Sequence, residues 1–403
     1  MRIPLRLLVI SILFSCGSKR SNPSASVEFA NPTNPGASLP HLVVGEDRIL
    51  YLSWVEPLDT NTTGFYYSKL NEAEWTKPEL IAAGTDWFVN WADYPMLAVD
   101  QEGNKIAHYL EKSTAGTYSY DVKLVLQSAK AATWSNSIVP HRDGTPTEHG
   151  FVTLLPNNDG TFLVSWLDGR HTGGGHEHTH KGSMTLRAAT LDLNGIISQE
   201  VELDASTCDC CQTGGVNTDS GPMVVYRDRS IDEIRDISFV RRVDSTWTPP
   251  RFVASDLWQI DGCPVNGPSI ASYKEAVAAA WFTSAMNRPA VKVAFMMDST
   301  FADAIELDTS EPFGRVDIAL INSNEAVVSW LDSGEDPAIK YRQIHRNGKL
   351  SVEHTVAVTS AERGSGFPQM AYLDGFLYFA WTHVGLGTSE ILLQKVAIRP
   401  LNP

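Results

Sequence analysis

Short runs in which apolar and polar residues alternate recur along the chain, separated by clusters of Gly, Asn, Asp and Pro. Alternation with period two marks a half-buried strand, and the interrupting residues are those that turns require. No segment sustains a helical period, so the pattern predicts an all-β protein with little helix. One word repeats through this pattern: an apolar strand ends in an aromatic, followed two residues later by a polar and usually acidic residue. The seven copies are Trp54/Glu56, Tyr109/Glu111, Trp166/Asp168, Tyr226/Asp228, Trp281/Thr283, Trp330/Asp332 and Trp381/His383. Their spacing of 49 to 60 residues suits one four-stranded antiparallel unit with its turns. The chain therefore reads as a single seven-bladed β-propeller. Its sixth unit shows the form: VDIALI, AVVSWLD, AIKYRQI and KLSVEHTVAV in order. The seventh supplies three strands before Pro403. Residues from Ser26 resemble the link before it, so an N-terminal strand is expected to join the last blade and close the ring, removing the exposed edge.

The repeated aromatics are expected to pack blade against blade. The acids two residues on share their side of the strand and are expected to accept hydrogen bonds from nearby backbone amides. Thr283 and His383 mark places where the repeat is broken.

Length fits a ring, because units that touch only their neighbours add residues without enlarging one core. The propeller is expected over residues 26–403, as a monomer. A net charge of −15 argues against nucleic acid and against adhesion to anionic lipid through charge alone. It suits cations, glycans or other small ligands on the polar face. Residues 1–16 carry a basic start, a short apolar run and Leu13-Phe14-Ser15 before Cys16. That order resembles a bacterial lipoprotein signal, which implies lipid attachment at Cys16, a polar tether over 17–25 and an outer-membrane address in the cell envelope. An ordinary secretion signal is the alternative.

With Cys16 set aside, Cys208, Cys210, Cys211 and Cys263 remain. The 55 residues between Cys208 and Cys263 match the repeat, which puts them at equivalent places in adjacent blades. A Cys208–Cys263 disulfide could staple those blades, but four cysteines allow three pairings and spacing does not choose. The segment HTGGGHEHTH adds His171, His176, His178 and His180, so a mixed Cys/His site for copper or zinc is a second reading. A plain surface tract beside ordinary disulfides is the other. Isolated His41, His108, His345 and His354 lie on strands and are expected to be satisfied locally. In a propeller, blade links and strand two-to-three loops emerge on one face. The chemistry is concentrated in those segments, among them HRDGTPTEHG with His141, Asp143, Glu148 and His149.

The loop YRDRSIDEIRD interleaves Arg227, Asp228, Arg229, Glu233, Arg235 and Asp236. It reads either as a self-neutralised network or as guanidinium forks for a carboxylate or phosphate. The words CDCCQT, VVYRDRS, DGCPVNGPS and AAWFTSA, with turns ending in Trp75, Trp134 and Trp247, resemble the sialidase-like superfamily of propellers over about residues 37 to 398. That resemblance implies three arginines gripping a substrate carboxylate, a tyrosine nucleophile paired with a glutamate, and an aspartic acid. Arg227, Arg315 and Arg363, Tyr226 or Tyr94 with Glu233, and Asp228 are the residues here that could fill those roles. Two functions stand: a membrane-anchored binding protein holding a ligand or metal ion, and an exo-sialidase-type hydrolase of terminal acidic sugars.

Overall fold

The computed structural model describes residues 30–173, 182–385 and 387–401. Seven antiparallel sheets follow one another in chain order, spanning residues 38–84, 96–127, 149–207, 214–254, 269–308, 312–358 and 369–397. The first strand of each blade touches the first strand of the next, and Gln369–Leu373 of blade 7 touches Ser38–Val44 of blade 1, so the ring is closed. Helix among the described residues is limited to two short 3-10 turns, Ala285–Asn287 and Arg363–Ser365.

Blades 2 and 7 have three regular strands each. In blade 2 the outer position is held by one bridge, where Ile138 and Leu124 exchange backbone hydrogen bonds of 2.8 Å. In blade 7 it is occupied by the chain before Ser38. The Gly36 amide donates to Ser389 O at 2.8 Å, and the Asn31 side chain donates to Ile391 O at 2.5 Å. The closure expected from sequence is thus made at the right edge, by an irregular segment.

Second strands carry the repeated aromatics into the blade interfaces, where Trp54, Trp166, Trp281 and Trp330 are buried to within 1 %. A buried indole N–H needs an acceptor. Trp54 donates to Glu56 at 3.0 Å and Trp166 to Asp168 at 2.8 Å, the acids two residues on. Trp281 and Trp330 use Asp256 and Asp308 instead, near the ends of the outer strands. Asp168, Asp228 and Asp332 also accept the nearby backbone amides of Arg170, Arg229 and Gly334, as expected, and the indole bond is an added role for Glu56 and Asp168. Where His383 replaces the acid, the indole nitrogen of Trp381 has no partner.

A cavity of about 490 Å³ runs along the inner strands, lined by His41, Tyr94, Gln212, Asp317 and Gln369 among others, and by none of the cysteines. His41, His108 and His345 accept backbone N–H bonds from Leu97, Met96 and Asn347, and His354 stacks on Tyr341, all local arrangements.

Candidate functional site: a four-cysteine rim cluster

The strand Ile197–Thr207 ends blade 3 directly before Cys208, whose amide is fixed by a 2.9 Å bond to Arg227 O of blade 4. The next three residues turn tightly, bringing the sulfurs of Cys208, Cys210 and Cys211 within 4.8 Å of one another. Cys263, on the link between blades 4 and 5, reaches the same spot and interacts with both Cys208 and Cys210. Four thiols from two blade links therefore converge.

None of them is bonded to another. Cys208 Sγ and Cys211 Sγ stand 3.3 Å apart, far beyond the roughly 2.05 Å of a disulfide. The Cys208–Cys263 staple is not formed; both thiols are free and share one cluster with Cys210. Cys208 and Cys211 are fully buried, Cys210 is half-buried and Cys263 is exposed, which leaves one open side.

Electrostatics favour one thiolate in this group. Burial alone would raise the Cys208 thiol, but hydrogen bonds from Cys210, Cys211 and Cys263 and the Arg235 charge hold it well below the ordinary range. Arg235 Nη1 lies 3.2 Å from Cys208 Sγ while its Nη2 donates to Glu233 at 2.7 Å. Burial pushes the Cys211 thiol up to about 12. Around the sulfurs, Arg229 joins Asp209 at 3.0 Å and Glu233 at 2.7 Å. The interleaved charges of this loop are a self-neutralised network, one of the two arrangements the sequence left open.

His171, the described histidine of the His-rich segment, is exposed three residues past the strand Phe162–Asp168 and is not in the cysteine group, and His176, His178 and His180 lie outside the described residues.

The residues suggested by the sialidase resemblance are not brought together. Arg227 is 2 % exposed and spends its guanidinium on the backbone carbonyls of Asn266, Arg235 and Phe282, at 2.6 to 3.0 Å, with Trp258 stacked 4.8 Å away. Arg315 is likewise buried and bonded to Ala361, Glu362, Ser365 and Gly366, beneath the rings of Trp91, Phe313 and Phe367. These two arginines staple blade to blade. Arg363 is exposed on its 3-10 turn. Tyr226 is fully buried and donates to Asp204 at 2.5 Å, whereas Glu233 pairs with Arg229 and Arg235. Asp228 accepts from Ser238, and burial first and Asp204 second push its carboxyl up to about 6. Tyr94 lies along the channel, 3.2 Å from the Gln369 amide.

Sequence reasoning placed Glu148 on the chemistry-bearing face but missed the acidic group it joins. Tyr120 donates to Glu148 at 2.5 Å, and Asp93 lies beside them accepting the Phe151 amide. Burial raises the carboxyl of Asp93 to about 7 and that of Glu148 to about 8. Their spacing of 27 and 55 residues carries no motif; only blade packing makes them neighbours.

No protein-family model matches the sequence, and no curated protein matches it. Solved structures do. A protein of unknown function from Dyadobacter fermentans aligns at a TM-score of 0.53 and 12 % identity, over 94 % of this chain and 99 % of that one. The polysaccharide lyase Uly1 aligns at 0.52 and 11 % identity, over 92 % of each chain. An α-L-arabinanase from Penicillium chrysogenum aligns at 0.51 and 10 % identity, over 93 % of this chain and 98 % of that one. At such identities the shared property is the propeller fold. Glycoside hydrolases stand among these structural neighbours, and of the sialidase-like expectation it is the propeller fold that is shared.

Proposed function

We propose that the protein is an envelope metal-binding propeller whose rim holds a zinc or copper(I) ion through Cys208, Cys210, Cys211 and Cys263. The observation that carries this reading is the convergence of four unbonded thiols from two blade links on one spot. Four thiolates suit a tetrahedral zinc ion or soft copper(I), with metal–sulfur distances of about 2.3 Å for zinc. Sulfurs that far from a tetrahedral ion stand roughly 3.8 Å apart; those of Cys208, Cys210 and Cys211 lie within 4.8 Å of one another, and Arg235 Nη1 faces Cys208 Sγ at 3.2 Å. In this reading the metal completes the junction of blades 3, 4 and 5 and remains accessible from the Cys263 side.

Elemental analysis of reduced protein purified without a histidine tag tests it. One equivalent of zinc or copper is expected, falling to background in the Cys210→Ser/Cys211→Ser double variant. A cobalt-substituted chain should show sulfur-to-metal charge-transfer absorption. Reduced protein with four free thiols and no bound metal at micromolar ion concentrations overturns the proposal.

Attachment through Cys16 belongs to the same reading. Cys16→Ala is expected to move the chain from the membrane fraction to the soluble fraction; unchanged fractionation counts against the anchor.

A second reading, hydrolysis of terminal acidic sugars, is favoured by the Tyr120–Glu148 pair and by the fold shared with the arabinanase. Tyr120 is 1 % exposed beneath Phe88, and the charges nearest it are acids, a poor setting for an anionic sugar. Turnover of a fluorogenic sialoside, lost in Tyr120→Phe, would reinstate this reading.

A further inference from the structure

His141 and His149 lie face to face, with ring centroids 3.7 Å apart and planes within 3° of parallel. Both are buried, His149 fully. His149 comes from the inner strand of blade 3 and His141 from the link before it. Asp143 sits on one side of the stack, its Oδ2 at 3.1 Å from His149 Nε2 and 3.5 Å from His141 Nδ1. A neutral imidazole has one donor and one acceptor nitrogen. With Asp143 taking the N–H of each ring, the other nitrogens, His149 Nδ1 and His141 Nε2, are left as acceptors.

Neither of those two nitrogens has a hydrogen-bond partner, and both are shut away from water. His141 Nε2 faces another acceptor, Asp121 Oδ1 at 3.8 Å. Asp121 comes from the third strand of blade 2, and its second oxygen faces Lys123 at 3.6 Å. One ligand atom from each of Asp121, His141 and His149 lies within 4.8 Å of the others. Two buried acceptors without a donor, one of them facing a carboxylate oxygen, are a costly arrangement that a bound cation relieves. Donors held about 2.1 Å from a tetrahedral ion stand roughly 3.4 Å apart, so binding requires the group to close from within 4.8 Å and the parallel rings to tilt until their in-plane lone pairs meet at the ion.

The neighbouring group does not share this property. Asp168 also approaches His149, at 3.7 Å, but Arg170 already grips both its oxygens at 2.7 Å.

We infer that His141, His149 and Asp121 form a second metal site, of nitrogen and oxygen donors and independent of the thiols, for a borderline divalent ion of the zinc class. Two imidazoles and a carboxylate are a donor set for such ions, and three protein ligands leave a coordination position open. Asp143 is then a positioning residue, fixing which nitrogen of each ring faces the metal, as carboxylates behind metal-bound histidines do.

The test is a Co²⁺ titration of the full chain, reduced, stripped with chelator and carrying His176, His178 and His180 changed to Asn. Two equivalents are expected, one with sulfur-to-cobalt charge transfer and one with only ligand-field bands. Cys210→Ser/Cys211→Ser should remove the first and keep the second. His141→Gln should remove the second and keep the first. Asp121→Asn, at a partly exposed position that leaves the stacked rings in place, should weaken the second at least about tenfold, and Asp143→Asn by about 10- to 100-fold. A ligand-field signal that never develops in the parent, or a second equivalent bound equally tightly by Asp121→Asn, overturns the inference. Loss of the first equivalent alone bears on the thiol site and leaves this one standing.

Discussion

Replacing Arg227 with Met is expected to destabilise the protein by about 3–5 kcal/mol, since each buried carbonyl left without its donor costs about 1–3 kcal/mol. The guanidinium makes four hydrogen bonds to three carbonyls, which belong to the strand Ala276–Thr283, the link carrying Asn266 and the Arg235 loop. Without it, those carbonyls face an apolar cavity beside Trp258 and lose both their partner and access to water. Arg227→Lys should recover only part of the loss, because one ammonium cannot serve three carbonyls fanned across a planar fork. Denaturant unfolding of the two variants measures this. A parental midpoint for Arg227→Met would mean that the guanidinium is not structural, and would return it to the pool of ligand-binding groups. Arg315, bonded to the link between blades 6 and 7, should behave in the same way.

Raising the pH from 4 to 8 should cost stability through Asp93, and Asp93→Asn should abolish that cost. Burial lifts this carboxyl to about 7, above the range it has in the unfolded chain. The folded protein therefore holds the proton more tightly than the unfolded chain does. Its contribution is complete below the unfolded value near 4 and is lost as pH climbs through about 7. At about 1.4 kcal/mol per pH unit, that window amounts to at most about 4 kcal/mol. An amide keeps an oxygen for the Phe151 N–H and never ionises. Asp93→Asn should then melt near the parent temperature at pH 4 and clearly above it at pH 8. Parallel melting curves across the whole range would show that the carboxylate is solvated or compensated.

The propeller was legible because its signals are local. Period-two alternation, turn residues and one aromatic per unit each need only a few adjacent positions, and repetition makes the sum unambiguous. The same regularity brought Cys208 and Cys263 to one place on the ring, since residues one repeat apart occupy equivalent corners of adjacent blades. It did not decide their chemistry. A disulfide and a four-thiol cluster require the same proximity and differ only in the last few ångströms, set by how tightly residues 208–211 turn and by where Arg235 reaches. The arginines were harder still. Arg227 and Arg315 look like ligand forks on a line of text, yet their partners are backbone carbonyls from other blades, which have no side-chain signature.

Asp121, His141 and His149 mark the limit most clearly. The two histidines share one link and its following strand, but the carboxylate completing the set comes from the third strand of the preceding blade. By itself, the sequence determined the number of blades, the aromatic interfaces, the closure and the rim on which the cysteines gather. Tertiary structure alone decided which polar groups are consumed in holding the ring and which are left facing one another unsatisfied, because that depends on distances between segments that the chain separates by tens of residues.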